Sequence, residues 1–188
     1  MNNYNNEIVA YFERVKETVD ELNIVEINCA MNVIVDAYER GGTIYIFGNG
    51  GSAATASHFV CDFNKGLSEQ RTKKFNLVCL NDNTPILMAI ANDIGYDEIF
   101  SFQLKNKLDP NDLVIGISGS GNSLNVINAI IYAKECSVKT IGITGYKGGR
   151  LKELSDYSLH VSIDDMQVVE DIHMMFDHMM MRVLGSKL

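Results

Sequence analysis

The chain has 188 residues, of which 46% are hydrophobic and 21% charged, which suits one compact domain and leaves little length for a second. That balance excludes a disordered or low-complexity class. A net charge of −8 lacks the basic footprint of a nucleic-acid binder or of a protein held on an anionic membrane, so neither partner is expected and any phosphate must be caught by local donors.

Residues 3–40 read as two helices, because Ile8, Tyr11, Phe12 and Val15, and then Ile27, Ala30, Met31 and Ile34, recur at helical spacing. Such stripes need a surface to cover, in the domain or in an oligomer core. The segment from Met1 to Tyr11 has no basic-then-apolar leader pattern, and no run approaches the length of a bilayer span, so a cytoplasmic location is expected. Five short β-rich runs follow: Thr43–Phe47, Phe75–Leu80, Leu113–Ile117, Thr140–Ile143 and Tyr157–Val161. They lack strict alternation, which predicts strands buried on both faces, hence a parallel sheet wrapped by helices. Helices are predicted over Ala53–Phe63 and Val126–Glu135, a short one after Gly148-Gly149, and a long terminal one over Asp164–Leu184 capped by Asp164 or Asp165.

The four cysteines, Cys29, Cys61, Cys79 and Cys136, have no CxxC spacing and read as small buried residues in a reducing compartment. Two glycine-rich loops stand out. Gly48-Asn49-Gly50-Gly51-Ser52 follows the first strand, and Ser118-Gly119-Ser120-Gly121-Asn122-Ser123 follows the third. In an open α/β sheet, ligands bind beyond the carboxyl ends of strands, where loops meet helix N-termini. Three hydroxyls, flexible backbone and a helix start are the parts of a phosphate cradle that needs no lysine. Neither loop carries GxxxxGK[ST] or GxGxxG, so no nucleotide cofactor is expected.

Candidate acid–base groups come from two distant helices. His58 and Asp62 are four apart and share a face; His178 lies on the terminal helix with Asp171 one heptad earlier and Glu170 in the same broad stripe. Imidazole and carboxylate can act as proton donor and acceptor or as ligands of a divalent metal such as zinc. His173, well around the helix from His178, reads as structural or as an interface residue. The methionines Met174, Met175, Met179, Met180 and Met181 predict a helix buried on most sides, which points to an oligomer.

The run GNGGSAATASHFVCDF, the segment ANDIGYDEIF, the loop SGSGNS and the tail EDIHMMFDHM, in that order and at similar separations, resemble the sugar isomerase (SIS) domain family, and within it the phosphoheptose isomerases. The resemblance spans nearly the whole chain. It implies a single SIS domain over residues 1–188 with a flavodoxin-like five-stranded parallel sheet, and a homotetramer or homodimer in which residues 1–40 serve oligomerisation. It also implies an aldose–ketose isomerase acting on sedoheptulose 7-phosphate. By position, Ser118, Ser120 and Ser123 match the family's phosphate-binding hydroxyls, Asn49 and Ser52 match residues that contact the sugar, and Asp93 matches an aspartate that holds sugar hydroxyls. Gly50, Gly51 and Gly119 complete the expected substrate site. His58 and His178 match the two histidines that bind zinc or work beside it. The chain departs from the family where Asp62 stands for its catalytic glutamate, Glu170 for its glutamine ligand and Gly119 for a threonine; an expected arginine is absent, with Lys65 nearby. The resulting expectation is Asp62 and His178 as catalytic groups, with His58, Asp62, Glu170 and His178 as ligands of zinc. Isomerisation of another sugar phosphate, or a non-catalytic sugar-phosphate-binding regulator or adaptor, stand as alternatives on the same fold.

Overall fold

A computed structural model describes residues 2–188. Helices α1 (Asn5–Asp20) and α2 (Ile24–Arg40) come first. The Asn23 side chain starts α2 by accepting from the amides of Val25 and Glu26, and Gly41, with φ of 77°, stops it by turning its own amide and that of Gly42 back to Tyr38 and Ala37. Between these caps, Ile27, Ala30, Val33, Ile34 and Ala37 form the buried stripe.

Five parallel strands follow: β1 (Ile44–Gly48), β2 (Leu77–Cys79), β3 (Leu113–Ser118), β4 (Lys139–Thr144) and β5 (Tyr157–His160), in the order β2-β1-β3-β4-β5. They are joined by α3 (Gly51–Cys61), which runs on into a π-helical turn over Asp62–Leu67, then α4 (Thr84–Asp93), the short α5 (Ser101–Leu104), α6 (Leu124–Glu135) and α7 (Gly149–Leu154). Helix α8 (Met166–Lys187) ends the chain. The expected five-stranded parallel sheet, N-terminal helices and long terminal helix are all present. Strand β2 is shorter than its apolar run because it is an edge strand paired only with β1. The cap of α8 is Asp165, whose carboxylate accepts from the Val168 amide at 3.4 Å. Helix α4 had not been placed from the sequence, although Asn83 caps it and Pro85 lies in its first turn.

Alternation along the strands divides the core. Ile44, Ile46, Leu113, Ile115, Ile117, Ile141 and Ile143 meet α2, α3 and α8 on one face. Phe47 and Val114 meet α4 to α7 on the other, where Phe47 stacks on Phe100 with ring centres 4.7 Å apart. On that second face Gly116 and Gly142 are register neighbours, and Val126 of α6 and Leu151 of α7 fill the space a side chain would need. Helix α1 packs outside α8, held by the Tyr11 hydroxyl donating to Asp171 and by an Arg14–Asp165 ion pair of 3.1 Å.

Two expectations about burial need correction. Cys29 and Cys61 are exposed, on the outward sides of α2 and α3, whereas Cys79 is buried, which pushes its thiol up to about 12. Helix α8 is not buried all round: Met180 is enclosed, but Met175 is 42% exposed in the single chain. His173 is 1% exposed with neither ring nitrogen hydrogen-bonded among the described residues, and desolvation holds its pKa down at about 4, only partly offset by the nearby Thr144 backbone.

The sign of that shift sets a pH dependence. Below about pH 6.5 the unfolded chain protonates this histidine while the folded chain does not, so its contribution is complete above that value and is lost as the pH falls towards 4. His173→Leu should therefore flatten the acid limb of the stability curve by about 3 kcal/mol between pH 7 and 4, read by urea unfolding at several pH values.

Candidate active site

The strand order reverses between β1 and β3, and both glycine loops leave the sheet at that switch point. Gly48 ends β1 under a clamp from Asn81, which accepts from its amide (3.2 Å) and donates to its carbonyl (2.9 Å). The side chains of Asn49 and Asn125 form a reciprocal amide pair, 2.9 Å in each direction, and the Tyr96 hydroxyl donates to the same Asn49 oxygen at 2.9 Å. Asn49 is thus a strut between the first loop and the start of α6. Asn125, Tyr96 and Asn81 were not singled out from the sequence, since a lone asparagine or tyrosine carries no spacing signal.

The second loop brings its three hydroxyls together. Ser118 Oγ lies 3.1 Å from Ser123 Oγ and 3.5 Å from Ser120 Oγ. Ser123 occupies the N-cap position of α6, yet its hydroxyl makes no capping bond, which keeps it turned to its fellow serines at the positive pole of the helix. The loop is locked to the turn before α7: the Leu151 amide donates to Gly121 O, the Arg150 amide to the Asn122 side chain, and the Gly145 amide to Gly119 O. Gly121 has φ of +67°, and a Cβ there would fall 1.8 Å from Gly148 O. Gly119, where the family has a threonine, is backed by Met166 and Val169 of α8. A cleft of about 600 Å³ opens beside the loop, lined by Ser120, Asn122, Tyr146, Lys147, Asp164 and Met166.

Helices α3 and α8 meet along the same side of the sheet. At one end Glu170 presses its carboxylate on Gly51, where a Cβ would lie 2.6 Å from Oε2. Two turns further, His58 Nε2 and His178 Nε2 are 3.2 Å apart, with their ring planes at 75°. Asp62 Oδ2 is 3.7 Å and Asp177 Oδ2 3.9 Å from His58 Nε2, and one ligand atom from each of the four residues lies within 4.8 Å of all the others. The expected pair of histidines and Asp62 are therefore brought together, at the junction where α3 widens into its π-helical turn.

Glu170 stands apart from this group, and Asp171 is engaged by Tyr11. Asp177 takes the place beside the histidines; it was missed by following the heptad back from His178 rather than forward from Glu170, whose heptad partner it is. Its side chain is 0% exposed, and burial, with the Asp62 charge adding to it, pushes the carboxyl up to about 7. Asp93 ends α4, exposed, accepting from the Asn92 side chain, and Lys65 pairs with Glu69 rather than reaching the site. Ser52 is buried beneath the first loop.

An SIS-domain family model matches residues 3–145. A phosphoheptose isomerase of Aliarcobacter butzleri is 35% identical over 97% of this chain and 95% of its own length. A probable phosphoheptose isomerase of Thermoplasma acidophilum is 40% identical over 88% and 91%. The structure of phosphoheptose isomerase GmhA from Neisseria gonorrhoeae superposes with a TM-score of 0.89 at 29% identity, covering 98% of this chain and all of that one. The chain belongs to the SIS-domain family and, within it, to the phosphoheptose isomerases. It is a sugar-phosphate isomerase by class.

Because Gly121 combines a left-handed backbone with contact against a carbonyl, Gly121→Ala should destabilise the fold by more than about 2 kcal/mol and abolish sugar-phosphate binding, measured by thermal unfolding and calorimetry. Ser118→Ala should keep the fold and weaken phosphate binding roughly 10- to 100-fold, the worth of one hydrogen bond to a charged group.

Proposed function

We propose that this protein interconverts sedoheptulose 7-phosphate and an aldose heptose 7-phosphate through an enediol, in the cytoplasm, as a homotetramer. The observation that carries the chemistry is the meeting of His58, His178 and Asp62, 3.2 and 3.7 Å apart, on helices that both pass the glycine loops. The phosphate would rest against Ser118, Ser120 and Ser123 at the start of α6, and the open-chain sugar would run past Asn49, Gly50, Gly51 and Ser52 towards the histidines, with Asp93 at the outer rim.

Asp62 takes the proton from the carbon beside the carbonyl, and the carbonyl oxygen receives one from the His58–His178 pair. The two imidazole nitrogens, 3.2 Å apart, are within hydrogen-bond reach of each other and of one bound oxygen between them. Return of a proton to the former carbonyl carbon, and loss of the neighbouring hydroxyl proton, yields the aldose. The shorter arm of Asp62 is carried by the π-helical turn that begins at that residue, where backbone displacement can replace side-chain reach.

The residues present fit a divalent metal: two facing imidazoles stand beside a fully buried carboxylate without a hydrogen-bond partner in the chain. A zinc ion held there would occupy the nitrogens that otherwise donate the proton, and would polarise the carbonyl oxygen as a Lewis acid in place of that proton. No nucleotide is required by this chemistry.

Assembly is supported by the apolar residues left exposed on α1 and α2, among them Phe12 at 65%, Ile24 at 69% and Val25 at 72%. Beside them a groove of about 360 Å³ is lined by Leu22, Ile27, Met31, Met175 and Met179. Phe12→Glu should shift the protein to smaller species in light scattering, whereas an unchanged mass would remove α1 from the interface.

Turnover is tested by offering ketose and aldose phosphates in deuterated water and following product by NMR. Wild type should incorporate solvent deuterium at the carbon next to the carbonyl. Asp62→Asn should lose at least about 100-fold in kcat with little change in sugar-phosphate affinity; full activity in that variant would remove Asp62 as the base.

A further inference from the structure

Between Val168 and Leu184 the buried stripe of α8 is apolar except at His173 and Asp177. A carboxylate buried at 0% exposure is ordinarily paired or bound to a metal. Among the described residues, Asp177 has neither a lysine nor an arginine paired with it, and neither of its oxygens has a hydrogen-bond partner. The groups facing it are His58, Asp62 and His178, and a second carboxylate at such range only worsens the burial unless a cation lies between.

The spacing suits that cation. Ligand bonds of about 2.0–2.1 Å in tetrahedral geometry put neighbouring ligand atoms about 3.3 Å apart. The two imidazole nitrogens are already at 3.2 Å, and Asp62 Oδ2 and Asp177 Oδ2 lie 3.7 and 3.9 Å from His58 Nε2, so distance does not choose between the carboxylates; burial does, because the Asp62 side chain keeps 18% of its surface in water while that of Asp177 has none. Glu170, in contrast, is turned to Gly51 at the other end of the α3–α8 contact. Three ligands from His58, Asp177 and His178 would hold the ion and leave its fourth position open, the arrangement of catalytic rather than structural zinc sites.

We propose that Asp177 is the carboxylate ligand of the divalent metal in this protein, with His58 and His178, so that Asp62 stays off the metal and Glu170 stays against Gly51. The assignment rests on the isomerase reading of the site, but it is a statement about coordination and can be tested with no sugar present. Two carboxylates then divide the labour that one longer side chain would have to combine. The charge of the ion and the buried carboxylate also offset each other where water is excluded.

The test uses the full chain, stripped with a chelator and titrated with Zn²⁺ against a chromophoric competitor, and with Co²⁺ read by its visible absorption. Asp177→Asn should weaken Zn²⁺ at least 100-fold and lower the intensity of the Co²⁺ bands, while Asp62→Asn and Glu170→Gln each change Zn²⁺ affinity less than about threefold. Unchanged affinity in Asp177→Asn, a loss in Glu170→Gln or Asp62→Asn equal to that in Asp177→Asn, or a wild type that binds no Zn²⁺, overturns the proposal. Asp177→Ser, smaller and uncharged, repeats the measurement should the asparagine variant fold poorly. Failure of wild type to turn over any sugar phosphate while these metal affinities hold would count against the isomerase reading and leave the ligand assignment standing.

Discussion

The site depends on the contact between α3 and α8, two helices whose facing histidines are 120 residues apart in the chain. Neither helix carries a site alone. The sheet order brings them to one face: α3 leaves β1, a central strand, and α8 returns from β5, the far edge, across the layer to lie beside α3. Glycine at position 51 lets the Glu170 carboxylate rest on the start of α3, a place it would have to leave if position 51 carried a Cβ. At the other end, Phe59, Phe63, Phe176 and Met180 pack the core beneath the junction, and the two imidazoles meet on its exposed side.

Much of this was legible in the chain before any coordinates. Continuous apolar runs marked all five strands, most clearly β3, which is buried throughout, and the two glycine loops were placed correctly after β1 and β3 because runs of glycine and serine break strand periodicity. The histidines were found from their spacing to nearby acids. What escaped was of two kinds. Helix α4 was overlooked because its buried stripe is thin, with Ile90 alone fully enclosed, leaving only its capping residues as a signal. Asp177 was passed over because hydrophobic periodicity identifies which face of a helix is buried and is silent about a polar group placed deliberately on it. The exposure of Met175 and Cys29 shows the converse, since an apolar residue in a helix is covered by the fold only when another element lies over it.

At the three positions where the resemblance led us to expect a departure from the family, the surrounding contacts suit the residue present. Gly119 gives up a side chain where Met166 and Val169 of α8 supply the bulk. Asp62 is one methylene shorter at the residue where the helix changes its winding. Glu170 brings a negative charge to the N-terminal end of α3, where the exposed amides and the dipole favour one. Each change is local, and the sheet beneath the loops is undisturbed by them.

The interlocking of the Ser118–Ser123 turn with Gly148 and Gly149 leaves the anchor little slack, because backbone meets backbone at Gly121 and the Asn122 side chain ties the same turn to the Arg150 amide. The rim segment from Asn83 to Phe100 is tied to the first loop instead by side-chain bonds such as that from Tyr96 to Asn49. Innovation in substrate length or stereochemistry is therefore channelled: descendants of this scaffold can remodel the rim piecemeal and inherit the anchor unaltered.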